Sequence, residues 1–137
     1  MTKYDKIVSI YNDSTDYYEF LIKLGLNGYE IDDSFKINYI IKILTTGPYG
    51  CFNDIPFYDI PSFEKALKFI SEYINDEEFE VSHIGAHDIA VCICSWILTS
   101  SDKSIIMPCF KLLCQKIPDI MKKEYEEQKQ FLKYKIN

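Results

Sequence analysis

His83 and His87 lie four residues apart, with Asp88 beside the second. On a helix such a spacing puts both imidazoles on one face, where they could hold a divalent metal. The sequence supplies neither the glutamate of an HExxH motif nor a third ligand at fixed spacing. The reading favoured instead is the polar first turn of a buried helix. Cys92 and Cys94 are two apart, which on a helix sets their sulfurs on nearly opposite sides. They cannot chelate one ion, and they read as small buried hydrophobes. A cysteine nucleophile paired with either histidine would need a cleft and an orienting third group. Gly47-Pro48-Tyr49-Gly50 precedes no Lys-Ser/Thr and follows no strand, so it is no phosphate cradle. The carboxylates at 76–80 form a solvated turn. Tyr4, Tyr11, Tyr17 and Tyr18 offer either an interaction surface or core packing. No set of nucleophile, base and orienter assembles, so the expectation is a protein that is not an enzyme and that needs no cofactor or metal.

Composition narrows the classes further. The chain has 137 residues, enough for one domain that folds without staples. Its 47% hydrophobic and 26% charged residues are those of a globular domain. All 15 cations are Lys, so no bidentate guanidinium clamp and no arginine finger exists. The net charge of −6 disfavours nucleic-acid backbones and anionic membranes. Ile occurs 21 times against three Val and three Ala, a bias of AT-rich coding. Met1 to Phe20 shows no secretory signal pattern, and Ile89 to Leu98 is about half the roughly 20 residues of a membrane span. Five scattered cysteines suit reduced thiols. A cytoplasmic protein without membrane insertion is expected.

Hydrophobic spacing predicts helices throughout. The first covers 3–25, broken near Asn12-Asp13, with Ile7, Val8 and Tyr11 on one face and then Tyr17, Phe20, Leu21 and Leu24. Gly25 and Gly28 end it. Asp32-Asp33-Ser34 offers N-caps for a helix over 35–46, striped by Ile37, Ile40, Ile41 and Leu44. Residues 47–61 carry three Pro and two Gly among Phe52, Ile55, Phe57 and Ile60, an ordered aromatic-rich connection. Ser62 caps an amphipathic helix over 63–76, with Phe63, Leu67, Ile70 and Ile74 in line. Segment 83–99 has almost no polar face and reads as an enclosed helix. Ser104 is the expected cap of a helix over 104–116, and Pro118-Asp119 restarts a last one carrying Met121, Tyr125, Gln128 and Leu132. The predicted fold is all-α: one domain, residues 1–137, of six or seven helices around a central apolar one.

The enclosed run Asp88-Ile89-Ala90-Val91-Cys92-Ile93-Cys94-Ser95-Trp96, followed by a polar turn and two amphipathic stretches, resembles the poxvirus Bcl-2-like proteins. The likeness is closest to their short branch without a membrane tail, which includes vaccinia virulence factors that block NF-κB signalling. The flanking helices, from Ser62 to Ile74 and from Ile106 to Ile117, look similar in length and pattern, and the coding bias agrees. The resemblance implies a Bcl-2-like bundle acting in the host cytoplasm by stoichiometric binding. Its partners would be pro-apoptotic BH3 proteins or innate-signalling adaptors and kinases, and homodimers through the first and sixth helices occur in the short branch. The groove it implies would be lined by Ile40, Ile41 and Leu44, by Phe52 and Phe57, by Phe63, Leu67 and Ile70, and by His87 and Val91.

Cellular Bcl-2 proteins open the central helix with Asn-Trp-Gly-Arg, whose guanidinium pairs with an Asp of the BH3 ligand. The nearest stretch here is Ile84-Gly85-Ala86-His87-Asp88. Gly85 allows the same close helix approach, His87 offers one hydrogen bond, and Asp88 would repel the ligand. Losing a charge-assisted pair costs about 1.5–3 kcal/mol. A signalling inhibitor is therefore preferred over a BH3 trap. Two other classes fit parts of the pattern: an acidic bacterial immunity or antitoxin protein that binds a basic toxin, and an enzyme built on His83, His87 and a cysteine.

Overall fold

The computed structural model describes residues 2–46, 60–76, 85–100 and 102–136, and only the backbone of 46, 60, 62 and 134–136. Every regular element among them is helical: α1 Lys3–Asn12, α2 Tyr17–Leu26, α3 over 33–46, α4 Ile60–Asn75, α5 Ala86–Thr99, α6 Met107–Lys116 and α7 Pro118–Ile136. The chain is all-α, and no helix of the described residues is long and apolar enough to cross a membrane.

Local chemistry sets the helix ends. Thr2 and Asp5 form a reciprocal capping box at α1, with the Asp5 N–H donating to Thr2 Oγ1 at 3.1 Å. These bonds from Thr2 hold the Asp5 carboxyl below its usual range. The break at Asn12-Asp13 is present. Asp16 then opens α2 by accepting the Glu19 N–H at 2.8 Å. Glu19 itself accepts from Lys23, 2.8 Å away, and from Thr15. Those bonds, Lys23 first, bring its carboxyl down to about 2. Gly25 lies within α2, and Gly28 alone ends it. At φ 85° it lets Tyr29 N–H reach Leu24 O and its own N–H reach Gly25 O, a Schellman closure.

Three boundaries differ from the sequence expectation. In α3, Asp32 caps as expected, accepting the Phe35 N–H at 2.8 Å. The next turn, Lys36–Ile41, is π-helical. A π turn holds one more residue than an α turn, so the apolar stripe shifts. Ile37 turns outward, 46% exposed, while Ile43 joins Ile40, Ile41 and Leu44 in the core. Helix α4 begins at Ile60, placing Ser62 inside its first turn rather than at the cap; Pro61 is compatible with that early position. Helix α6 begins at Met107, because the Pro108 ring would meet the carbonyl four residues back, at Ser104. Ser104 instead donates to Asp102 from both N–H and hydroxyl.

Helix α5 lies at the centre. Ile89, Ala90, Ile93 and Cys94 are completely buried, and Ala86, Cys92, Trp96 and Ile97 nearly so. Its longest contact is with α7; α6, α3 and α4 complete the cover, the last through Phe63 against Trp96 at 5.0 Å between rings. Helices α1 and α2 pack on α4 by edge-on aromatics: Tyr11 meets Phe20 and Phe69, and Tyr17 meets Tyr73. Gly85, at φ 72°, leads into α5 directly against Ile41, where a Cβ would sit 2.0 Å from Ile41 Cδ1.

Lysines close the helix C-termini that arginines are absent to close. Lys65 Nζ donates to the Tyr11 and Asn12 carbonyls at the end of α1, and Lys23 to Asp13 O at 2.7 Å. Lys68 reaches Thr15 O, and Lys103 reaches Ile97 O in the last turn of α5. A cation at a helix C-terminus is favoured by the unpaired carbonyls and the aligned peptide dipoles.

The two left-handed glycines separate strain from contact. Gly28→Ala meets only the backbone penalty and should cost about 1 kcal/mol in urea denaturation. Gly85→Ala adds the clash with Ile41 and should cost about 2–4 kcal/mol. Equal losses at the two positions would contradict this packing. The depressed Glu19 carboxyl stabilises the fold fully above the ordinary value of 4.5. That contribution is lost as pH falls toward about 2. A Glu19→Gln variant should therefore lose the part of the acid-unfolding slope that lies between these values.

Candidate functional site

Most of the described residues assigned to a groove are buried. Ile40, Leu44 and Ile70 are completely buried, and Ile41, Phe63 and Leu67 nearly so. They are the inner stripes of α3 and α4, taken up in covering α5. Val91 is half-buried and His87 is exposed. Phe52 and Phe57 lie outside the described residues, as do Cys51, His83, the loop 47–50 and the carboxylates at 77–80. Of the assigned positions, Ile41 lines a depression over α3 and Leu67 one between α4 and the start of α6.

His87 has a different task. Its Nε2 lies 2.8 Å from Glu124 Oε1, and its Nδ1 is 4.0 Å from Asp88 Oδ1. Glu124 is 4% exposed, so its carboxylate needs a donor when α7 docks. The imidazole supplies one and ties the start of α5 to α7. The sequence did carry a sign of this residue. Glu124 follows Met121 by three and so interrupts the apolar face of α7. No group of three His, Cys, Asp or Glu among the described residues could hold a metal.

Three of the four described thiols, those of Cys92, Cys94 and Cys109, are core atoms, and Cys114 is half-buried. Cys92 Sγ lies 3.7 Å from Thr45 O and Cys94 Sγ 3.9 Å from Met121 O. Burial pushes the Cys94 and Cys109 thiols up to about 12, and raises Cys92 as well. A protonated, covered sulfur is a poor nucleophile.

The outside carries a shallow surface over α3. A depression of about 510 Å³ lies between α1, the π turn and the first turn of α5. Tyr4, Ile37, Asn38, Lys42, Thr45 and Asp88 line it, with Ile41 at its floor. The Lys42 ammonium sits 5.1 Å from the centre of the Tyr4 ring. A second depression of about 410 Å³ shares Asn38 and Tyr39 and continues past Tyr29 and Phe35. There Lys3 Nζ lies 4.9 Å from the Tyr39 ring centre. Aromatic rings, lysine heads and one exposed isoleucine on an open surface suit a protein partner better than an enclosed small molecule. Sequence periodicity assigned Ile37 to the core, because a 3.6-residue repeat does not anticipate the π turn.

Compared with protein-family models, curated proteins and solved structures, the chain matches none.

The burial of the thiols sets an expected outcome. With Ellman's reagent at pH 8, Cys92, Cys94 and Cys109 should stay unreacted in the native protein and react at once in guanidinium. A fast native reaction at any of the three, located by peptide mapping, would contradict their placement.

Proposed function

We propose that this chain is a protein-binding module without chemistry of its own, a Bcl-2-like viral inhibitor of innate immune signalling of the NF-κB type. It acts stoichiometrically in the host cytoplasm on a signalling adaptor or kinase. The observation that carries the choice of mode is the filled interior. Ile40, Leu44 and Ile70, which a BH3 helix would need, are completely buried, and Phe63 packs on Trp96. A partner therefore meets a face, and the face over the π turn, around Ile37, Tyr39 and Lys42, offers anchors. The run Asp88 to Trp96, its enclosure by amphipathic helices and the all-lysine composition support the family reading. The missing guanidinium weighs in the same direction, against a BH3 trap.

Two measurements test this. In transfected cells the protein should repress an NF-κB reporter. Ile37→Glu should relieve repression by about tenfold in the dose required. Ile37 is exposed, so its replacement should leave stability within about 0.5 kcal/mol. Titration with BH3 peptides should show no sub-micromolar binding. Tight peptide binding, or a reporter unaffected at saturating expression, would sink the proposal.

A further inference from the structure

Three aromatic rings surround one cation beside the start of α1. Tyr29 follows the left-handed turn at Gly28, and Phe35 and Tyr39 stand four residues apart on one face of α3. The Tyr29 and Phe35 ring centres are 5.7 Å apart and those of Phe35 and Tyr39 5.0 Å, each pair inclined at 41°. The Lys3 ammonium reaches all three: it lies 5.8 Å from the Tyr29 centre, 5.6 Å from Phe35 and 4.9 Å from Tyr39. Glu30 and Asp32 line the same depression and make its rim anionic.

The faces of aromatic rings are negative and attract cations. Lysine fills this place poorly. Its ammonium is compact and strongly hydrated, and Lys3 is exposed, so water competes with the rings for it. A methyl carbon stands about 1.5 Å from its nitrogen, and carbon atoms pack at about 3.5–4.0 Å. A trimethylated nitrogen in the position of Lys3 Nζ therefore brings its methyl groups into contact with Tyr39 and close to the other two rings. We propose that Tyr29, Phe35 and Tyr39 form a recognition site for the trimethyl-lysine side chain of a partner protein, with Lys3 as its internal competitor. Lys3 itself shows how such a ligand enters: an alkyl stem from a backbone outside the depression carries the cation onto the rings. At one edge Gly28 has no atom within 4 Å of where a Cβ would be, which leaves room for a second stem. Free choline carries the same cation without the stem and binds more weakly. The site stands on the ring geometry and goes beyond signalling inhibition, so the reporter test above and the binding test below can fail separately.

The full chain is titrated with a short peptide carrying one trimethyl-lysine, with its unmodified twin, and with a neutral twin in which carbon replaces the quaternary nitrogen. By calorimetry up to about 10 mM, the trimethylated peptide should bind about tenfold more tightly than either twin. Lys3→Ala should tighten that binding several-fold, because the competitor is gone. Tyr39→Leu keeps an apolar side chain but removes the ring, and it should weaken binding about tenfold. Tyr29→Leu is the second ring variant, and circular dichroism checks that each is folded. The inference is overturned by no binding of the trimethylated peptide, by equal binding of the neutral twin, or by a Lys3→Ala variant of unchanged or lower affinity. Folded ring variants that bind as well as the parent overturn it too, as does preference for choline or phosphatidylcholine vesicles over the peptide.

Discussion

Between Ile89 and Leu98 the only strongly polar side chain is Ser95, and that single fact organises the molecule. In water such a helix is stable only when covered on every side, because each exposed Ile or Leu forgoes about 1.5–3 kcal/mol of burial. The amphipathic helices α3, α4, α6 and α7 supply the cover with their apolar stripes. The tightness of the result is visible at Gly85, where α3 leaves no space for a methyl group. It is visible again in the thiols, which fill the core as small side chains and are held protonated by the desolvation that buried them.

Covering most of α5 brings other helix ends to the surface, and each end leaves carbonyls without partners. A chain without arginine meets this need with lysine. The flexible stems of Lys23, Lys65, Lys68 and Lys103 carry point charges to the ends of α1 and α5 and to the α1–α2 turn. Lys65 also lies 4.5 Å from the centre of the Tyr11 ring, so one side chain closes a helix end and packs an aromatic cluster. His87 does similar work at the other end of the bundle, satisfying the buried Glu124.

Packing around α5 leaves some apolar side chains in water. Among the described residues the inner stripes of α3 and α4 are largely buried, and the exposed large apolar side chains are those the core does not use, Ile37 at the π turn of α3 and Tyr18, Ile22 and Leu26 on the outer row of α2 among them. Both are places where an apolar side chain stays in water after the core is complete. Neither has the enclosed, desolvated geometry in which a buried nucleophile or acid would operate.

The sequence by itself determined the helical class, the break at Asn12-Asp13, the cap at Asp32, the restart at Pro118 and the largely buried character of 89–97. These follow from local rules: side-chain oxygens that satisfy free N–H groups, proline geometry, and a run with no polar face. It overextended α6 and started α4 three residues late, because an N-cap residue signals a helix start only when the neighbouring prolines allow it. The tertiary structure decided which apolar residues face inward. Ile37 and Ile43 are equally hydrophobic, yet the π turn, which periodicity cannot foresee, put one in water and the other in the core. In α2, Tyr17, Phe20 and Leu24 of the stripe read from the sequence are buried, and Tyr18, which the sequence left open between surface and core, is half exposed. Partners across a core come from residues far apart in the chain, and their pairing is fixed only when the helices pack.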